Sequence, residues 1–250
     1  MNVRRQTLAV VGTAMLVCAS GLNAIAESSW AQPKVPSGRF PIRKVCLMPA
    51  ETEMDKLGVK TTEKMTKDSD DWAVALRVLI EAHLKTVGIG FDSATDPAAS
   101  GASDNDIQQA IDQIQEKYNA LSGELNKKPR AIGKGAYTLG DQVAMLPCAA
   151  TSDVLVFIRG EGVIPTPGRA GMAALAGGIL EQGAIVTIAF ADAKTGEILA
   201  MIRFRNVGDF LGQNQEDAFS APLDAGLADI NLGSARKLER AREFSTPAQR

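Results

Sequence analysis

The 250 residues contain a single histidine, His83, and this scarcity limits the catalytic chemistry open to the chain. A Ser-His-Asp triad would need His83 as its base. That residue falls on or beside the apolar stripe of a predicted helix, where a lone histidine is typical of a packing residue. One histidine and a few distant cysteines also form no cluster at metal-ligand spacing. The sequence therefore predicts no catalytic residue of this kind and no metal site.

A complete phosphate-binding loop is also absent, although the chain has 23 glycines. Lys134 in "IGKGAY" lacks both the first glycine of a Walker loop at the right distance and the following hydroxyl. "GEGVIP" begins like a dinucleotide-binding fingerprint, but Pro165 stands where its third glycine is needed. The sequence predicts no cofactor.

The chain has no strong excess of one charge, with 27 Lys and Arg against 29 Asp and Glu. Outside the C-terminal tail, no Lys/Arg-rich run stands out. A nucleic-acid partner is therefore not expected, because such binding requires a basic surface.

Long hydrophobic runs are missing except near the N-terminus, where residues 1–26 are predicted to form a signal peptide. Arg4 and Arg5 supply its basic part, and residues 8–22 supply its apolar part. That apolar run is shorter than the roughly 20 residues of a membrane-spanning helix. The expected location is the periplasm or the medium, with membrane contact left open but no span.

Two cleavage sites of the small-x-small type follow this run, Ala24-Ile25-Ala26 and Ser29-Trp30-Ala31. A lipid-bearing Cys18 is the less favoured alternative, because the bulky Val17 before it suits lipoprotein processing poorly.

Cys46 and Cys148 remain after either cleavage. In an exported protein two cysteines favour a disulfide. The alternative is a pair of buried thiols, since cysteine is among the most buried residue types.

Composition divides the rest of the chain. Residues 27–40 are expected to be a flexible lead, residues 41–232 a single α/β domain, and residues 233–250 a charged tail. Residues 43–50 are expected to form an apolar strand ended by Pro49. Residues 51–69 are polar and lack periodicity, and residues 53–71, with acidic, basic and again acidic groups, are expected to be a solvated loop.

Helical spacing of apolar residues predicts a helix over 71–87, with Ser69 or Asp70 as its cap. A helical insertion is expected over 91–137, where Ser103 and Asp106 form a capping-box pattern. Within it a clean amphipathic stripe runs from 107 to 121, which either packs on the domain's own core or meets a partner helix.

Residues 153–163 read as a central strand because they are apolar on both faces. Residues 184–206 read as a hairpin, with Asp192 and Gly196 as its turn residues. A last helix is expected over 221–230. The fold class is therefore α/β (α+β), a mixed sheet of about four to five strands flanked by helices, with a C-terminal β-hairpin and helix.

Residues 166–183 form a glycine-rich, nearly uncharged segment between two strands, expected to be a flexible or weakly helical loop. Four of its side chains are apolar without an evident need to lie in a connector. If exposed together, they would form a docking patch for a protein partner, for self-association or for lipid. These residues are Met172, Leu175, Ile179 and Leu180.

"KVCLMPA", "ATSDVLVFIRGEG" and "VTIAFADAKTGEILAMIRFR", in this order after a signal peptide, resemble bacterial envelope domains of the CsgG, LpoB and TolB amino-terminal type. The resembling pieces cover about a third of the chain. The resemblance implies an α/β sandwich without catalytic residues that works by docking onto another protein or into an oligomer.

The expected function is therefore that of an exported, non-enzymatic binding or assembly subunit of the bacterial envelope. Two alternatives remain, a periplasmic hydrolase with a carboxylate-based site and a membrane-inserting oligomer.

Overall fold

The computed structural model describes residues 25–96, 103–176, 182–207 and 215–230. Within these ranges, one mixed sheet of eight strands is flanked by four α-helices. The mixed α/β class is confirmed, but the expected number of four to five strands was too low. The strands are β1 (Ile25–Ala31), β2 (Lys44–Leu47), β3 (Glu51–Leu57), β4 (Thr62–Lys64), β5 (Gly90–Ser93), β6 (Val154–Pro165), β7 (Gly183–Asp192) and β8 (Ile198–Val207). The helices are α1 (Thr66–Val87), α2 (Asp104–Lys127), α3 (Pro167–Leu175) and α4 (Gln215–Asp229).

Strand β6 is the centre of the sheet, as its apolar run predicts. Its first five residues are buried on both faces. β7 pairs with it antiparallel along one side, and β8 and then β1 continue the sheet outward. On the other side β6 pairs in parallel with β2 and, further along, with β3.

The segment 53–71, expected to be a solvated loop, contains most of β3, all of β4 and the start of α1, so this prediction was wrong. The pairing of β2 with β6 ends where Leu47 lies opposite Val156. The pairing of β3 with β6 begins where Glu51 lies opposite Arg159. Pro49 falls in the gap, where its missing N–H interrupts a ladder. β3 is largely polar, so only the uncovered edge of β6 determines that it is a strand.

Helix α1 begins at Thr66, earlier than a cap at Ser69 or Asp70 would place it. Ser69 lies inside the first turn instead, where its hydroxyl accepts a hydrogen bond from the Met54 N–H at 3.0 Å. The side chain that resembled a cap therefore ties α1 to β3.

Residues 27–40 were expected to be a flexible lead, but the structure places them in the packed domain. Those up to Ala31 belong to β1, which pairs antiparallel with β8. Beyond the strand, the Gln32 N–H donates to the Leu199 carbonyl, and Val35 is buried. Residues 1–24 of the predicted signal peptide and the tail over 233–250 lie outside the described residues.

The insertion expected over 91–137 also begins in the sheet, because β5 pairs in parallel with β2. The Ser103 cap of α2 is confirmed, with its hydroxyl accepting from the Asp106 N–H at 3.3 Å. In the hairpin turn, the Asp192 carboxylate accepts from the N–H groups of Lys194 and Thr195, and Gly196 has a φ of 68°. The turn chemistry predicted for this hairpin is therefore confirmed.

The sheet has an apolar core on each face. On one face, α1 and α4 pack over Val154, Val156, Ile188 and Ile202. On the other face, α2 and three short 3-10 helices pack over Leu155, Phe157 and Met201. His83 lies between α1 and α4, with its Nδ1 2.5 Å from the Asp224 carboxylate, so its position is a helix–helix contact.

Candidate functional site

The two cysteines singled out by sequence are joined in a disulfide. Cys46 lies in β2 and Cys148 lies in the 3-10 helix Pro147–Ala150, with their Cα atoms 5.6 Å apart. Both residues are buried in the core on the α2 side. The bond ties the sheet to the helical layer and is structural.

The predicted docking segment carries helix α3 at the end of the β6–β7 hairpin. Thr166 caps this helix, and the Arg169 guanidinium donates to the Gly58 carbonyl at 2.9 Å. Met172 is 56% exposed and Leu175 is 91% exposed. Ile179 and Leu180, the other two residues of the predicted patch, lie outside the described residues. We call Met172 and Leu175 the α3 patch.

A second surface, which we call the polar groove, lies where the α2-side face of the sheet changes from apolar to charged. Cross-strand register places Arg159, Thr187 and Arg203 in one row across β6, β7 and β8. The next row toward the hairpin end contains Glu161, Ile185 and Arg205. The groove is formed by Glu51, Glu53, Asp55, Arg159, Glu161, Thr187, Arg203 and Arg205 on the sheet, with Asn119 and Asn126 on α2.

The apolar part of this face ends at Tyr118, which stacks on Phe157. Burial raises the pKa of the Tyr118 phenol. One residue further on α2 is Asn119, and two residues further on β6 is Arg159. The Arg159 guanidinium donates to Asn119 Oδ1 at 3.1 Å and to Glu161 Oε1 at 3.0 Å. These two bonds hold Arg159 at the start of the groove.

Three cavities follow the groove. The largest, about 510 Å³, lies between β3, the start of α1 and Arg159. A second, about 460 Å³, is bounded by Glu53, Asp55, Glu161 and Arg205. The third and smallest, about 120 Å³, lies between Arg159 and Arg203 and has Thr187 and Asn126 in its wall.

The groove mixes paired and unpaired groups. Glu53 forms an ion pair with Lys64 of β4, and the hydrogen bond from Lys64 followed by its charge lowers the pKa of the Glu53 carboxyl. Asp55 Oδ1 and Asn126 Oδ1 are buried without a hydrogen-bond partner among the described residues. Unpaired buried polar groups carry a desolvation cost, so a bound molecule that forms hydrogen bonds with them is favoured.

No protein-family model matches this chain, and no curated protein matches it. Among the described helices, none combines the length and the apolar character that a membrane crossing requires. The described part of the chain also contains no group of three or more His, Cys, Asp and Glu side chains arranged to hold a metal ion.

The polar groove was not predicted from the sequence, although two signals for it were present. Arg203 and Arg205 alternate along β8, so the face they share had to become polar toward the strand end. On α2, polar residues recur at helical spacing beside the apolar stripe, at Gln115, Asn119, Ser122 and Asn126. Neither signal shows that the two sets face each other, because that depends on how α2 packs on the sheet.

Proposed function

We propose that this chain is an exported envelope protein that acts as a non-enzymatic binding or assembly subunit through the α3 patch. The observation that carries the proposal is the exposure of Met172 and Leu175 on a helix without a buried residue. They are three residues apart and so share one face of α3. Neighbouring apolar side chains left in water favour contact with a partner.

The anchoring of α3 supports a docking role rather than a passive connection. The Thr166 N–H donates to the Leu57 carbonyl, and Arg169 reaches Gly58 in the turn between β3 and β4. The start of the helix is therefore held at the end of β3 and the turn that follows it, and less conformational entropy is lost when a partner binds. Docking is also what the resemblance to the CsgG, LpoB and TolB amino-terminal domains implies.

The disulfide supports the exported location. Cys46 and Cys148 close a long stretch of chain, and such bonds persist in oxidising compartments such as the periplasm. The carboxylate-hydrolase alternative gains no support at Glu53, because its pKa is lowered, whereas a general acid needs a raised pKa.

The test is a double substitution, Met172→Gln with Leu175→Gln, in the exported protein. Oligomer mass is measured by sedimentation, and chemical crosslinking in intact cells followed by mass spectrometry identifies contacts at α3. We expect the substitutions to abolish the crosslinks and any self-association while the unfolding temperature stays unchanged. The matched control is Val74→Gln with Val78→Gln, an exposed apolar pair on α1. A wild-type protein that is monomeric and forms no crosslink at α3 would contradict the proposal.

A further inference from the structure

The smallest cavity of the polar groove has the features of a built binding site. Its wall contains two arginines that extend from β6 and β8 on either side of Thr187 of β7. Neighbouring strands are about 4.8 Å apart, so the two arginine backbones are separated by about 10 Å. Two guanidinium groups at that spacing can converge on one small anion placed over Thr187.

Both arginines are held in place by contacts with neighbouring side chains. Arg159 is fixed by Asn119 and Glu161. The Arg203 guanidinium lies 5.6 Å from the centroid of the Trp30 ring, a cation–π contact. Pre-positioned donors lose little entropy when a ligand binds.

An unpaired amide on α2 is the observation that points to a ligand. The Asn126 amide oxygen is buried and has no hydrogen-bond partner among the described residues. Thr187, which lines the same cavity, is only 6% exposed. A 180° rotation of this amide would present its NH₂ group in the same place. The hydroxyl and the amide could then both donate to an anion between the arginines.

The charges and the size of the cavity select the kind of anion. Glu161 also lines the cavity and repels a dianion more strongly than a monoanion. Phosphate carries a charge of about −1.5 to −2 at neutral pH, whereas a carboxylate carries −1. The cavity volume of about 120 Å³ limits the group bound between the arginines to a small anion. These observations favour a carboxylate.

The adjoining cavity of about 460 Å³ shares Glu161 and Ile185 with the smaller one, so the rest of a ligand would lie there. Of the carboxylates around it, Glu53 is already paired with Lys64 and Glu161 with Arg159. The third, Asp55, has a buried Oδ1 without a hydrogen-bond partner among the described residues, which favours a ligand with a cationic donor there. The two rows of the sheet are two residues apart along the strands, about 6.7 Å. An extended dipeptide spans a similar length, about 7 Å.

We propose that the polar groove binds a short zwitterionic peptide, with its carboxylate between Arg159 and Arg203 over Thr187 and an ammonium group near Asp55. This site is separate from the α3 patch and does not depend on the docking role proposed above.

The probe is glycylglycine, titrated into the full-length mature protein at pH 7 and followed by calorimetry and by NMR of backbone amides. We expect saturable binding with shifts in β6, β7 and β8. Thr187→Val, which keeps the shape of the side chain, and Arg203→Gln should each weaken binding at least about tenfold. Arg77→Gln removes the same charge on α1, on the opposite face of the sheet, and should leave the affinity unchanged. Unfolding curves of each variant show that the fold is retained.

Comparison of ligands separates the parts of the proposal. N-acetylated glycylglycine lacks the ammonium group and should bind more weakly, as should acetate. Phosphate binding more tightly than glycylglycine would overturn the choice of a carboxylate. An absence of saturable glycylglycine binding, or equal affinity in wild type, Thr187→Val and Arg203→Gln, would overturn the site itself.

Discussion

Tyr118 of α2 stacks on Phe157 of β6, with ring centroids 4.4 Å apart and planes 20° from parallel. This pair divides one face of the sheet into an apolar part, which α2 and the 3-10 helices cover, and the polar groove. Both rings are almost fully buried, so their contact contributes to stability as well as marking this boundary.

Phe157→Ala should lower the free energy of unfolding by about 3–5 kcal/mol, because it removes a fully buried ring from under Tyr118. Denaturant unfolding followed by circular dichroism measures the loss. Val163→Ala, at a partly exposed position on the same strand, is the control and should cost less than about 1 kcal/mol. Equal losses in the two variants would show that the aromatic stack is not an important part of the core.

Gly160→Ala should destabilise the protein by about 1–3 kcal/mol through overpacking. A Cβ at this position would lie 2.7 Å from Cη2 of Trp72, which packs across the opposite face of β6. The control is Gly123→Ala, where a Cβ meets nothing within 4 Å. Because Gly123 lies in α2, that change should stabilise the protein by about 0.5–1 kcal/mol. Shifts of the same sign in thermal unfolding of the two variants would refute the packing argument.

Replacing Cys46 and Cys148 together by Ala should lower stability by about 2–5 kcal/mol, because the bond closes a loop with a sequence separation of 102. Dithiothreitol should shift the unfolding midpoint of the wild type toward that of the double variant and leave the double variant unchanged. Because the bond is buried, the wild type is first unfolded so that dithiothreitol reaches it, and then refolded in the reductant. If its unfolding midpoint is still unchanged, the two cysteines are not bonded in the protein.

The mature protein should begin at Glu27 and not at Gln32. Cleavage after Ala31 would remove β1, which pairs with β8, and Trp30, which holds Arg203 in the groove. It would also remove the hydrogen bond from the Ser29 hydroxyl to the Asp229 carboxylate at 2.8 Å. Intact mass of the protein purified from a bacterial host checks this. A mass starting at Gln32 would refute the site, and a mass retaining Met1 would refute the signal peptide itself.

The contribution of β1 to the stability of the fold can be measured directly. A chain expressed from Gln32 should unfold at a lower temperature than a chain expressed from Glu27, since β8 would become an unpaired edge of the sheet. Equal unfolding temperatures would show that β1 contributes nothing to the fold.

The sequence by itself determined the elements whose signals are local. The apolar run of β6 predicted a strand buried on both faces, and Asp192 with Gly196 predicted the hairpin turn. Ser103 predicted the start of α2, because a cap depends only on its own helix turn. In each of these patterns, the residues that interact lie within a few positions of one another in the sequence.

Tertiary structure alone decided the elements that depend on a distant neighbour. β3 and β1 are polar or mixed in composition, and they are strands because β6 and β8 offer them an edge to pair with. The polar groove depends on the same kind of information, since Arg159, Thr187 and Arg203 meet only through the register of three strands. The alternation of side chains along a strand shows which residues share a face of that strand. The register between strands is fixed by long-range pairing and core packing, which no local pattern encodes.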